Sequence, residues 1–556
     1  MNRLCIQGAV LYDPANRVDG QVRDLWIAGG KVIEAPPAND QASFRRIDAS
    51  GLVAMPGGVD MHCHIAGAKV NMGRRLTPHE RRDPAQLLPR TDTTRSGTLG
   101  SVPSTFATAY KYAGLGYTTA LDAAVTPLGA RQAHSELADT PSIDSGFYTL
   151  VGNNHYLMQQ IAAGESARVE AFLAWLIETT GALAPKLVNP GGVEIWKQSG
   201  GGHSTGFDDR VPSFDITPRQ IVTQIATAAN NLRLPHPVHI HCNQLGMPGN
   251  WQTTLATMQA LGHLRGHLTH IQFHSYRGTA GDESSLASGV APLVDYLNTH
   301  PQLSVDVGQV MFGNTTSMTG DGPLGYYLHQ IYGQRWYSGD TECESGCGVM
   351  PIEYRNRNLF HALQWAVGLE WFLLAKNPWQ VVLSTDHPNG ASFLAYPQLI
   401  RLLMDREYRR EQLATCPAAL ASKSNLADLD RQYTLGEIAT ITRAAPARLL
   451  GLTHKGHLGP GADADITLYT PHENWATMFE LPRMVFKSGE LLCEEGQIRT
   501  AVPRNTLRAV VDYDREALAD LPEWFAGHYS VQLANFGMQP QELAAMPAVA
   551  DAGKPV

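Results

Sequence analysis

The hydrophobic pattern of the chain changes twice. Over the first fifty-odd residues, short apolar runs alternate with turn residues: LCIQGAVLY, then DLWIAGGKVIEA with a Gly29–Gly30 hairpin signal, then RRIDASGLVAMPG. The same texture returns near the other end in HLGPGADADITLYTP and MVFKSGELLCEEGQIRT. This predicts that residues 1–55 and 451–510 together build one small β-sandwich domain. Between them, residues 56–450 alternate strand-like runs (GYTTALDAAV, APKLVNPGG, PHPVHIHCN, LSVDVGQVMF, QVVLSTDHPN) with helical stretches such as ESARVEAFLAWLIETTG and NLFHALQWAVGLEWFLLAKN. Strand–helix alternation over this length predicts an α/β fold of the (β/α)8 TIM-type barrel class. A doubly wound sheet would want a G-x-G-x-x-G turn after a strand, and none is suitably placed. Residues 511–556 form a helical tail expected to serve as a subunit contact, as does the Gly- and aromatic-rich insertion from Gly313 to Arg357.

Composition narrows the class without naming a chemistry. With 43% hydrophobic and 17% charged residues, the 556-residue chain can bury a large core and does not read as disordered. A net charge of −9 gives no electrostatic case for nucleic acid or an anionic membrane. The N-terminus lacks a basic stretch followed by an apolar run, and apolar runs such as Phe172 to Ile177 are too short to span a bilayer. A cytoplasmic protein is therefore expected. The seven scattered cysteines, an odd number, argue for free thiols instead of a disulfide framework. Only Cys343 and Cys347, in TECESGCG, are close enough to suggest a metal clip, and a Gly-rich loop with two free thiols is the better account of them.

The chemistry lies in metal-ligand residues at predicted strand ends, where barrel enzymes place their sites. In PGGVDMHCHIAG, His62 and His64 are two apart on a strand and so project to one side. His239 and His241 repeat this in PVHIHCNQLG; His267, His270, Gln272 and His274 follow in GHLTHIQFHSY; and Asp386 tips the apolar run QVVLSTD. One such strand is unremarkable. Several in series predict a metal centre.

This series resembles the amidohydrolase superfamily. More narrowly, KLVNPGGVEIW, HIHCNQLGMPGN, HLTHIQFHSY and STDHPNG resemble the A-type subunit of formylmethanofuran dehydrogenase and its counterpart in methylotrophic bacteria, the A-type subunit of the formyltransferase/hydrolase complex. The resemblance implies two zinc ions bridged by a carboxylated lysine. Lys186, on a strand with apolar neighbours, is the first choice for the bridge, and Lys197, beyond a Gly-Gly turn, the alternative. His62 and His64 would then hold one zinc with Asp386, and His241 and His270 the other, with His274 competing for the place of His270. In that chemistry the metals acidify a water that attacks the formyl carbon, and Asp386 takes the proton and returns it to the amine. Asn243 and His387 are candidate catalytic neighbours, and Gln244 and His274 candidate substrate contacts.

The resemblance further implies hydrolysis of an N-formyl-methanofuran or N-formyl-methylofuran carrier to formate and free amine, or the reverse condensation, alongside B-, C- and D-type subunits. The bacterial hydrolytic complex is the preferred setting. A cyclic-amide hydrolase of the dihydropyrimidinase, hydantoinase or dihydroorotase kind would share the ligands but not the NPGGVE and HCN-x-LG segments. An inactive scaffold would have lost ligands, and here each position is filled.

Overall fold

The computed structural model describes residues 3–77, 87–88, 97–98, 101–103, 105–199, 205–279, 282–335, 337–339, 347–544, 546 and 548–549. Eight strands, each following apolar or β-branched sequence, form a parallel barrel. They are β1 (Gly58–Cys63), β2 (Tyr117–Val125), β3 (Asp144–Leu150), β4 (Ala184–Val188), β5 (His239–His241), β6 (Gly266–Leu268), β7 (Leu303–Asp306) and β8 (Val381–Val382). Each pairs in parallel with the next, from β1–β2 to β7–β8. The seam closes just past β8, where Cys63 bridges in parallel to His387 and the His64 N–H donates to the His387 carbonyl at 2.7 Å. Closure leaves no open edge between first and last strand, and both faces of every strand are covered, so even the polar residues on them are buried.

Strands from both ends of the chain join in a nine-stranded mixed sheet. The junction is the antiparallel pairing of Ile466–Tyr469 with Val53–Pro56, so the segment leading into β1 is held by residues some four hundred positions later in the chain. One face of this sheet buries Leu4, Ile6, Leu25, Ile27, Ile466 and Phe486. Where the sheet meets the barrel, Lys455 Nζ lies 2.6 Å from Asp144 and 2.9 Å from Asp465, and Lys487 Nζ lies 3.0 Å from Asp144. These charges are buried but mutually paired, the condition under which burial is tolerable.

The tail after Val510 packs on the barrel's own helices. Phe536 stacks on Trp175, the Trp524 indole donates to Gln159 at 2.6 Å, and Phe525, Tyr529 and Phe536 are buried within the chain. Those three aromatic residues are covered by the chain itself, whereas Tyr513 and Trp524 stay partly exposed. The insertion builds a three-stranded sheet from Gly313–Thr319, Tyr337–Gly339 and Cys347–Tyr354, with a helix at Gly322–Tyr332. The expected thiol pair falls outside the described residues at Cys343 and outside the described side chains at Cys347. No described helix is long and apolar enough to cross a membrane.

Candidate metal centre

The C-terminal ends of the barrel strands converge on a cavity of about 440 Å³. Its floor carries His62, His64, Lys186, His241, His270 and Asp386, and its walls are apolar, among them Leu245, Phe273, Met318, Leu324, Tyr327 and Phe360. Several wall residues come from the Gly313–Tyr354 insertion, which roofs the mouth of the barrel. A few convergent polar groups at the end of an apolar slot is the arrangement of a small-molecule site.

Among the described residues, four groups of three side chains present ligand atoms within 4.8 Å of one another, two of them on residues of the predicted ligand set: His62, His64 and Asp386, and His241, His270 and His274. Asp386 Oδ1 lies 2.9 Å from His62 Nε2 and 3.1 Å from His64 Nε2. The buried nitrogens His64 Nδ1, His270 Nδ1 and both nitrogens of His274 have no hydrogen-bond partner among the described residues. Buried polar atoms are normally satisfied, and this many orphaned lone-pair donors in one place mark a site built for a cation. The donor set fits metal: imidazoles and a carboxylate are the ligands borderline divalent ions take.

Backbone geometry aims these groups. Asn189, Gln244, His270 and Asp386 all have positive φ, at 42°, 60°, 35° and 51°. For non-glycine residues that conformation costs roughly 1–3 kcal/mol each, and such positions cluster at functional sites. Beside His270 the chain needs a glycine, since a Cβ on Gly308 (φ 65°) would stand 2.4 Å from the His270 Cβ.

Lys186 is 2% exposed on β4 and lines the cavity, and burial pushes its amine down to about 7, against the pull of Asp306 and Asp386. Lys197 instead sits on the helix Gly192–Ser199, partly exposed, with its Nζ 3.3 Å from Glu194. Only Lys186 of the two reaches the cavity floor. Burial alone would lower the His62 imidazole, but the carboxylates of Asp306 and Asp386 beside it lift it to about 9.

Three expected roles do not fit this geometry. Asn243 is buried beside the floor, its Nδ2 donating to Asn189 Oδ1 at 2.8 Å and the Pro190 carbonyl at 3.0 Å, while its Oδ1 has no hydrogen-bond partner among the described residues. Gln244 turns outward, its Oε1 accepting from Thr253 at 2.5 Å. His387 packs edge-on against Phe393 at the barrel seam, accepting from the Phe393 N–H at 3.3 Å. None of the three lines the cavity. His274 is not among the cavity-lining residues and packs against His241 and His270, whereas His270 lines the cavity.

Two carboxylates escaped the sequence reading. Asp306, the last residue of β7, accepts from the His270 N–H at 2.9 Å and lies 3.1 Å from His62 Nδ1 and 3.0 Å from His267 Nε2. It obeys the same rule of a ligand-type residue at a strand tip, in LSVD, and could have been found by it. By engaging Nδ1 it fixes the His62 ring with Nε2 toward Asp386. Asp321, on the insertion, lies 3.2 Å from His241 Nε2. Nothing in its local sequence beyond a helix-capping D-G-P signals that contact.

The sequence pattern that defines the amidohydrolase family matches residues 45–492. The chain belongs to the amidohydrolase family. Over 554 residues it is 41% identical to Protein FwdA of Methanocaldococcus jannaschii, covering 96% of both chains. It is 36% identical over 523 residues to the A-type subunit of the formyltransferase/hydrolase complex Fhc of Methylorubrum extorquens, covering 92% of this chain and 91% of that one. Among solved structures, a chain of the formyltransferase/hydrolase complex FhcABCD from Methylorubrum extorquens, in complex with methylofuran, superposes with a TM-score of 0.89 at 34% identity over 98% of each chain. A dihydroorotase of Elusimicrobium minutum matches over 60 residues only, 11% of this amidohydrolase.

Proposed function

We propose that this amidohydrolase is the hydrolytic subunit of a formyltransferase/hydrolase-type complex, cleaving an N-formyl group from a methylofuran- or methanofuran-like carrier to give formate and the free amine. The observation that carries the reading is the cavity floor: His62, His64, Lys186, His241, His270 and Asp386 meet at the end of an apolar slot. Full-length similarity to the A-type Fhc subunit and to FwdA supports the substrate class and B-, C- and D-type partners.

His62, His64 and Asp386 would hold one zinc and His241 and His270 the second, with Lys186, as its carbamate, between them. Bound there, zinc supplies a water acidified from a pKa of ~16 to about 7 and an electrophile for the formyl oxygen. The remaining work falls to the chain. Desolvation of Lys186 lowers its amine to about 7, so a substantial share is neutral near pH 7, the form that adds carbon dioxide. Asp386 accepts the proton of the attacking water and returns it to the amine nitrogen as the C–N bond breaks. Asp306 keeps His62 turned toward the site. The apolar walls seat the carrier's ring and exclude bulk water, so the attacking water is the one at the floor.

A cyclic-amide hydrolase would use the same ligands, but the dihydroorotase likeness is confined to 60 residues. The test is to purify the tagged chain from its native cell without chelators, count zinc, and assay formate release from N-formyl-methylofuran. The expected result is close to two zinc ions per chain and co-purifying partner subunits. A metal-free chain, or a free monomer that opens cyclic amides and ignores the formyl carrier, would sink the proposal.

A further inference from the structure

The insertion that roofs the cavity also reaches down to a candidate ligand. Asp321 is 3% exposed, and one of its carboxylate oxygens, Oδ2, lies 3.2 Å from His241 Nε2. The other, Oδ1, accepts from Asn189 Nδ2 at 3.1 Å and from the Leu324 N–H at 3.4 Å. The second contact caps the helix Gly322–Tyr332, whose Leu324, Tyr327, Leu328, Ile331 and Tyr332 line the cavity. A single carboxylate therefore touches the imidazole at the floor and the first turn of the roof.

We infer that Asp321 is a positioning residue that clamps His241 for metal and makes the roof helix sense whether the metal site is filled. The inference rests on the metal-centre reading above. A carboxylate on Nε2 fixes the tautomer with its proton there, which leaves the Nδ1 lone pair as the one the ring can offer a cation. Because the same carboxylate starts the roof helix, a His241 ring held by metal holds Asp321, and Asp321 holds the first turn of that helix. Emptying the site frees the ring, and the clamp on the helix start loosens with it.

The substitution Asp321→Asn separates these roles. Its Oδ1 can still cap the helix and accept from Asn189, but its amide faces the His241 N–H donor to donor. The ring must turn away or move its proton to Nδ1, and either removes the lone pair from the cation. Asp321→Ser, which keeps a good capping oxygen and deletes the clamp, is the second variant should the amide not fold.

The experiment is zinc titration of the full chain against a competing chelator, with hydrogen exchange of the Gly322–Tyr332 amides followed with and without zinc. The expected result is a zinc affinity lowered about 10- to 100-fold at one of the two sites in either variant, with the thermal stability of the zinc-free chain unchanged. Zinc should slow exchange in the roof helix of the parent and not in the variants. Variants that bind zinc as the parent does would overturn the clamp while leaving the metal centre standing. Zinc-insensitive exchange in a zinc-binding parent would overturn the coupling, and a parent that binds no zinc at all would overturn the metal centre and the clamp together.

Discussion

His64 Nε2 and Asp386 Oδ1 stand 3.1 Å apart, although 322 positions separate them in the chain. The contact exists because the barrel closes between them. Cys63, next to His64, pairs with His387, next to Asp386, so the first and last strands deliver their side chains to the same point. Anything that opens this seam disperses the site.

Lys186 is expected to be indispensable and chemically replaceable. Lys186→Ala should reduce formate release to background, and short carboxylic acids, small enough to enter the space left on β4, should restore part of it by supplying a bridging carboxylate. Activity in the unsupplemented variant close to the parent's would refute the bridge. Lys197→Ala, by contrast, removes a partly exposed contact to Glu194 and should leave turnover nearly unchanged.

Asp386 should separate binding from chemistry. Asp386→Asn keeps the shape and an oxygen near His62 and His64 but cannot take a proton at neutral pH. At least one zinc should remain, measured by elemental analysis, while turnover falls by ~10²-fold or more, the usual share of proton transfer. If turnover barely changes, Asp386 is not the acid–base group.

Acid stability is expected to report a buried histidine far from the metal site. Burial pushes His134 down to about 4 from 6.5, although its Nε2 donates to the Thr180 carbonyl at 2.9 Å. The folded chain keeps this ring neutral while the unfolded chain protonates it below pH 6.5. Stability is therefore intact above that pH and is lost as pH falls from 6.5 to about 4, by up to about 3 kcal/mol. Melting curves between pH 8 and pH 4 should show His134→Gln gaining on the parent as the solution acidifies. Parallel curves would mean the ring is not held neutral.

By itself the sequence determined the class of fold and the chemistry available to it. Period-two and apolar runs announce barrel strands because a strand covered on both faces must be apolar, and a histidine or aspartate at the end of such a run stands out against that background. His62, His64, His241, His270 and Asp386 were legible for that reason, and Asp306 was legible by the same rule. What the tertiary structure alone decided was direction and distance. Asn243, Gln244 and His387 neighbour ligands in sequence, yet a left-handed turn at Gln244 and the barrel seam at His387 send their side chains elsewhere. The sequence preferred Lys186 to Lys197 but left both open; the structure puts Lys186 on a strand at the cavity floor and Lys197 on a helix beside Glu194. The contact of Asp321 with His241 depends on how an insertion folds back over the barrel mouth. Local patterns encode which face of an element is buried; they carry no record of which distant element will cover it.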